Sequence, residues 1–231
     1  MIAQTDRLSL RRFTIDDLPL LVELDSDPEV MRYLTGGRPT PAETVRREVL
    51  PAILRDYLRF PGFGKWAAIE RSSGAFIGWF ALKPAAAGPA VTGPAGAGTA
   101  SGVVNGRGGR LAITEVELGY RLRRASWGRG YASEGARALL RMAFDHPTVD
   151  RVFAETMAVN VASRRVMEAA GLRLARCFHL QWDDPIEGVE HGEVEYEVRR
   201  VDWAAHAAAA SGTRTMPVAR IPPAVEGNRP H

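Results

Sequence analysis

The stretch that most limits the fold is residues 114–144, TEVELGYRLRRASWGRGYASEGARALLRMAF. Its first nine residues read as a strand, and its last twelve put Ala136, Leu139, Leu140, Ala143 and Phe144 at helical spacing, which predicts a helix with one buried face. Gly128 and Gly130 lie between them. A strand running through bare backbone into a helix commits the chain to layered α/β architecture. It also leaves the first N–H groups of that helix without intrahelical partners, at the positive end of the helix dipole. Because glycine lets a ligand approach the main chain closely, this junction suits an anion such as a pyrophosphate. Arg123, Arg124 and Arg129 add positive charge nearby. The alternative is an ordinary glycine-rich turn capped by Ser126 or Ser133.

The flanking sequence extends the pattern in both directions. RLSLRRF (7–13) alternates as a strand, and Thr14 with Asp17 forms a capping box ahead of the helix LPLLVELDSD. A second box, Thr40 to Glu43, predicts a helix through Val45, Val49, Ile53 and Leu54, with Pro41 at its first position. KWAAIE, the turn SSGA and FIGWFAL read as a hairpin. Downstream come the strand RVFAETMAV, a helix ending at Gly171, and two final strands, RLARCFHLQW and EVEYEVRRV. The order β-α-α-β-β-β-α-β-α-β-β is a mixed α/β fold and not a regular βαβ repeat. Residues 84–112 are rich in Ala, Gly and Pro without an aromatic, which predicts a flexible insertion interrupting a sheet. Residues 204–231 read as a loose tail.

With 231 residues, of which 45% are hydrophobic, the chain can build one sizeable core. It has no apolar run near the roughly 20 residues of a membrane span, and its start lacks a signal-peptide core, so a soluble cytoplasmic protein without membrane contact is expected. The net charge of +3 comes from arginine, since Lys65 and Lys83 are the only lysines, and no basic block alternates with aromatics as a nucleic-acid surface would. One cysteine, Cys177, excludes an internal disulfide, and the histidines lack metal-ligand spacing, so no metal is expected.

A Walker loop would need Gly-Lys-Ser/Thr, and a dinucleotide fingerprint a third glycine with a distant acid; neither is present. Trp127-Gly128-Arg129-Gly130-Tyr131-Ala132 instead resembles the acyl-CoA pyrophosphate loop Q/R-x-x-G-x-G/A of the GNAT N-acetyltransferase superfamily. A Trp in the first position resembles the branch that acetylates protein N-termini, including ribosomal-protein N-terminal alanine or serine acetyltransferases. TDRLSLRRFTIDDL, GAFIGWFAL, VELGYRL and NVASRRVMEAAGL are similar to further segments of that branch, in order, over about residues 5–203. The Gly/Ala/Pro insertion is the main departure.

The resemblance implies a GNAT domain over residues 1–203, with a mixed, mostly antiparallel sheet of about seven strands, flanked by helices. Its fourth and fifth strands would splay, and the main chain at Tyr120 and Leu122 would hold the pantetheine arm. It further implies that amides from Trp127 to Ser133 bind the pyrophosphate, and that the Asn160 side chain bonds the pantetheine arm while also serving as a helix N-cap. Arg164 and Arg165 are read as solvated.

The implied reaction moves an acetyl group from acetyl-CoA to a primary amine, of a protein N-terminus or a small molecule, by direct attack through a tetrahedral intermediate. It needs a base, a polarised carbonyl and an acid for the leaving thiolate. Glu117, mid-strand beside the splay, is the candidate base and Glu115 the alternate; a carboxylate paired with a core arginine or facing solvent is the competing reading of Glu117. A general-acid tyrosine of many relatives falls here on Met167, so the Ser of N-x-x-S, Ser163, is the candidate acid, against a local backbone bond. Succinyl-CoA or another acyl-CoA, and a non-catalytic acyl-CoA sensor, are the alternatives. The acidic run at residues 182–197 would attract a cationic amine or form a solvated hairpin. Acceptor identity is not legible, and a homodimer is left open.

Overall fold

A computed structural model describes residues 1–85, 103–105 and 111–204. Eight strands form one sheet in the order β1-β2-β3-β4-β7-β8-β10-β9. They are β1 (Ala3–Gln4), β2 (Leu8–Arg12), β3 (Gly64–Glu70), β4 (Phe76–Pro84), β7 (Glu115–Leu122), β8 (Arg151–Met157), β9 (Arg173–Phe178) and β10 (Glu193–Arg199). The seven strands expected from alternation are all present; the two-residue β1 is added at the edge. Every neighbouring pair is antiparallel except β7 and β8, which run parallel.

A parallel pair requires a crossover, and the chain supplies it with the glycine junction and helix α5 (Tyr131–Asp145). Ala136, Leu139, Leu140, Ala143 and Phe144 are all buried, as their spacing requires. α5 packs on β4 and β7, and Gly135 lies flat on the Phe80 ring: a Cβ there would stand 2.1 Å from Phe80 Cζ. α6 (Val161–Ala170) follows β8 and ends at Gly171 in the left-handed region, φ 103°. On the other face lie α1 (Leu18–Leu24), α2 (Pro28–Thr35), α3 (Ala42–Thr44) and α4 (Leu50–Arg59), the last two joined by a π-helical turn over Val45–Val49.

Two local readings need correction. α2 has no counterpart in the sequence reading, although Asp27 caps it through the Glu29 N–H, Pro28 sits at its start and Gly36 closes it at φ 67°. The capping box at Thr40 does not form. Pro41 is the N-cap instead, Thr40 donates its N–H to Asp25 O, and Glu43 pairs with Arg46 at 3.6 Å and with Arg47. The first box holds, with Asp17 accepting from Thr14 N–H at 2.8 Å.

Pro84 pairs with Val116 at the root of the β4–β7 ladder, so the insertion interrupts a hairpin of the main sheet. Its described part is a separate two-stranded ladder, β5 (Val103–Asn105) with β6 (Leu111–Ile113). The flexible segment read across the rest of 84–112, and the tail from 205, lie outside the described residues. No described helix is long and apolar enough to cross a membrane.

Candidate active site

The β7–β8 ladder is short: Glu115, Val116 and Glu117 pair with Arg151, Val152 and Phe153, and there it stops. β7 continues to Leu122 and β8 to Met157, so the two strands part beyond Glu117. On β7, Arg123 donates its N–H to Ile77 O of β4 and Glu115 O accepts from Ala85, so odd-numbered residues turn their backbone polar groups toward β4. By alternation, those of Leu118, Tyr120 and Leu122 face the gap. One of them is already engaged: Trp127 Nε1 donates to Leu122 O at 2.8 Å. Of the two positions expected from the sequence, Leu122 thus has its carbonyl engaged and Tyr120 does not; Leu118, which the sequence reading did not name, shares the same edge.

At the end of the gap stands the glycine junction. Gly128 and Gly130 have φ of 68° and 78°, and a Cβ on Gly128 would meet nothing within 4 Å. Conformation and open access, rather than crowding, are what select glycine here. Gly130 is itself the N-cap of α5, without a side-chain cap, so neither Ser126 nor Ser133 caps the helix. The first helical bond is Glu134 N–H to Gly130 O; the N–H groups of Tyr131, Ala132 and Ser133 lie ahead of it and are free for an anion.

The junction is braced from behind. Arg7 donates to Arg129 O at 2.8 Å and to Glu134 at 2.6 Å, while Tyr131 gives its hydroxyl to Glu70. Burial works against the Glu134 carboxylate, but bonds from Thr5 and Arg7 hold it below the usual carboxylate range. The Arg129 side chain turns to Glu70, 3.3 Å away, and is not among the residues lining the cavity. Trp127, Gly128, Gly130, Tyr131, Ala132 and Ser133 do line it.

That cavity, of about 1070 Å³, runs from the junction through the strand gap to the face covered by α2. Asn160, Ser163 and Tyr120 stand on the α6 side. Asn160 Oδ1 accepts from Ser163 N–H at 3.2 Å, its Nδ2 donates to Thr156 Oγ1 at 3.0 Å, and the Tyr120 hydroxyl lies 2.9 Å from Ser163 Oγ and 3.0 Å from Ser163 O. Burial pushes the Tyr120 hydroxyl up, with Ser163 opposing. Met167, where the resemblance expects a tyrosine in many relatives, is buried and lies in the wall. Arg164 is not simply solvated: it donates to Tyr196 Oη at 3.2 Å and to Ala158 O at 3.1 Å.

Glu117 occupies the opposite sheet face. Burial pushes its carboxyl up, opposed by Lys83, its cross-strand partner, and by Lys65. Glu115, the alternate, is held by Arg151 at 3.1 Å and is not among the residues lining the cavity. Around Glu117 the structure gathers Lys65, Asp25 and Glu155, which the sequence reading did not single out, and Glu193, which it read only as part of the acidic run at residues 182–197. Lys65 of β3 lies 4.0 Å from the Trp79 ring centroid and is brought down to about 7, by burial first and then by Arg121 and Lys83. Asp25 pairs with Arg121. Glu155 and Glu193 complete the wall.

Comparison with known proteins agrees with this geometry. The family model described as "Acetyltransferase (GNAT) domain" matches residues 7–173. The chain belongs to the GNAT acetyltransferases. It is 34% identical over 200 residues, 86% of this chain and 76% of the relative, to the "FsC-acetyl coenzyme A-N(2)-transacetylase" of Aspergillus fumigatus. Among solved structures, aminoglycoside acetyltransferase AAC(6')-Ib with coenzyme A superposes with a TM-score of 0.61 at 18% identity, covering 87% of this chain and 99% of that one. The ribosomal L7/L12 alpha-N-protein acetyltransferase RimL with coenzyme A gives 0.62 at 16%, covering 86% and 97%. The enzyme is thus an acetyl-CoA-dependent N-acetyltransferase.

Proposed function

We propose that this acetyltransferase acts on a primary amine of a small molecule, with Glu117 as base and Ser163 as acid. The observation carrying this reading is that the cavity crosses the β7–β8 gap with Glu117 on one sheet face and the Ser163–Tyr120 pair on the other. An acceptor arriving as an ammonium must lose a proton before its lone pair can attack. Glu117, whose burial raises its proton affinity, is suited to take that proton near neutral pH. The thioester carbonyl lies in the gap, and the sulfur departs toward α6, where the Ser163 hydroxyl supplies a proton. Tyr120 orients that hydroxyl, and the Asn160 side chain fixes the helical turn carrying it. The diphosphate is taken by the N–H groups of Gly128 to Ser133, with Trp127 packed across Leu122 O.

The small-molecule assignment is supported by the acidic acceptor wall and by the 34% identity to a relative named for N(2) acetylation. A protein N-terminus is the second reading, favoured by Trp127 and by the N-x-x-S spacing of Asn160 and Ser163. Free-thiol release from acetyl-CoA, measured over small amines and N-terminal peptides, separates the two. Turnover confined to peptides overturns the first reading, and a Glu117→Gln enzyme with wild-type kcat removes Glu117 as base.

A further inference from the structure

We propose that Glu155 and Glu193 form a second subsite in the acceptor half of the cavity, which binds an ammonium group remote from the amine being acetylated. The acceptor class is then a diamine or polyamine. This rests on the reading of Glu117 as the residue beside the reacting amine.

The sheet register fixes the geometry. Glu117 pairs with Phe153, Glu155 pairs with Glu195, and Glu193 pairs with Met157. Residues two apart on a strand share a face, so Glu117, Glu155 and Glu193 lie on the same face of β7, β8 and β10. Each step moves one strand across and two residues along, about 8 Å between Cα atoms from strand spacing and rise, and more where β7 and β8 part. The three residues form a diagonal that begins at the candidate base, its first step widened by the parting of β7 and β8.

Glu155 and Glu193 are more than nine-tenths buried, both line the cavity, and each has a carboxyl oxygen, Oε1, without a hydrogen-bond partner. Such an oxygen is costly in the empty protein. Neighbouring cations relieve it only in part, and only at Glu155, where Arg176 is an ion-pair partner without a hydrogen bond. Arg176 gives its bonds to Glu195, at 3.0 and 2.7 Å, and stands 3.6 Å from Glu155 Oε1. Arg121 is committed to Asp25, and Lys65 and Lys83 lie on β3 and β4, on the far side of Glu117. What acts on Glu193 is a hydrogen bond with Trp182 and, at longer range, His179. Burial pushes both carboxyls up, and on Glu155 a hydrogen bond shared with Glu195 and the charges of Glu117 and Glu195 push the same way against Arg176, so an added cation favours the ionised form of each. An ammonium, with three donors and a positive charge, can satisfy both open oxygens at once; a neutral hydroxyl or an apolar tail cannot.

The test compares 1,4-diaminobutane and 1,6-diaminohexane with butylamine and hexylamine, as acceptors with acetyl-CoA and as ligands of the coenzyme A complex by calorimetry. One charge-assisted contact predicts a diamine preference of roughly 10- to 100-fold in kcat/KM and in affinity. In Glu193→Gln and Glu155→Gln the diamine-to-monoamine ratio should fall at least about tenfold, with thermal melts confirming the fold. Equal handling of diamines and monoamines by the wild type overturns the subsite without any variant, as does an unchanged ratio in both variants. If no amine is turned over, the acceptor reading of Proposed function fails separately; the calorimetric preference still decides the subsite.

Discussion

Lys65 offers the sharpest quantitative check on the cavity. An ordinary lysine holds its proton to 10.5; burial, with Arg121 and Lys83 nearby, brings Lys65 down to about 7. Above 10.5 neither the folded nor the unfolded chain is charged at this position, and the buried amine costs nothing on this account. As pH falls from there toward 7, the unfolded chain binds a proton that the folded chain refuses, so stability is lost; the loss is complete below about 7. At about 1.4 kcal/mol per pKa unit the ceiling is near 5 kcal/mol, and water entering the cavity reduces it, so roughly 2–5 kcal/mol is expected. Lys65→Met removes the cost. The variant should exceed the wild type in stability by that amount at pH 6, with the gap narrowing through pH 8 and nearly closed by pH 10. Urea unfolding of both proteins across this range, extrapolated linearly, reads the difference directly. An advantage that is the same at pH 6 and pH 10, or a variant weaker than wild type at pH 6, would refute the reasoning, because Lys65 would then be charged and well partnered in the fold.

Glu117→Gln should lower kcat by roughly 10²- to 10⁴-fold while calorimetry shows unchanged coenzyme A affinity. Because burial holds the Glu117 carboxyl above its ordinary 4.5, kcat/KM should rise with pH through an acid limb above that value, and this limb should be missing from the residual activity of the Glu117→Gln variant. Ser163→Ala should reduce kcat more than KM. Tyr120→Phe should cost up to about tenfold, the worth of one hydrogen bond, and add nothing in the double variant; additive losses would separate Tyr120 from Ser163. Gly135→Ala drives a Cβ into the fully buried Phe80 ring, so thermal melting should fall by several degrees, reflecting roughly 1–3 kcal/mol of overpacking. An unshifted melt would refute the close packing of Gly135 on the Phe80 ring.

How much of this was legible in the sequence depended on how far apart the participating residues lie. The co-substrate half of the site is contained in one stretch, from Leu118 to Ser133, plus the cap at Asn160. There the requirement falls on the backbone itself: two positive φ angles at Gly128 and Gly130 and a helix that starts without a side-chain cap. Glycine spacing records such a demand directly. The helices on the other face were less clear. α2 carries a cap, a leading proline and a terminal glycine, yet its eight residues include only Val30, Met31, Tyr33 and Leu34 as apolar anchors, too few for periodicity to stand out.

The acceptor half was only partly read, Glu117 through the family resemblance and Glu193 as one member of the acidic run at residues 182–197, and for a different physical reason. Lys65, Glu117, Glu155 and Glu193 come from four strands; Glu117 and Glu193 sit at the polar phase of an alternating pattern, whereas Lys65 shares its phase with Ala67, and Glu155 with Phe153 and Met157. Alternation assigns that phase to the face of the sheet that avoids the apolar core, and for most antiparallel sheets that face is water. Here it is roofed, with α2 above it and the Leu180–Trp182 segment at its side, so the same pattern marks a closed polar cavity. Period two reports which face a residue takes and is silent on what covers that face. The cover follows from topology: β10 inserts between β8 and β9, bringing Glu193 beside Met157, thirty-six residues earlier in the chain. Lys65 and Glu155 therefore become informative about the acceptor only once the strand order is known, whereas the coenzyme loop announces itself from a few consecutive residues.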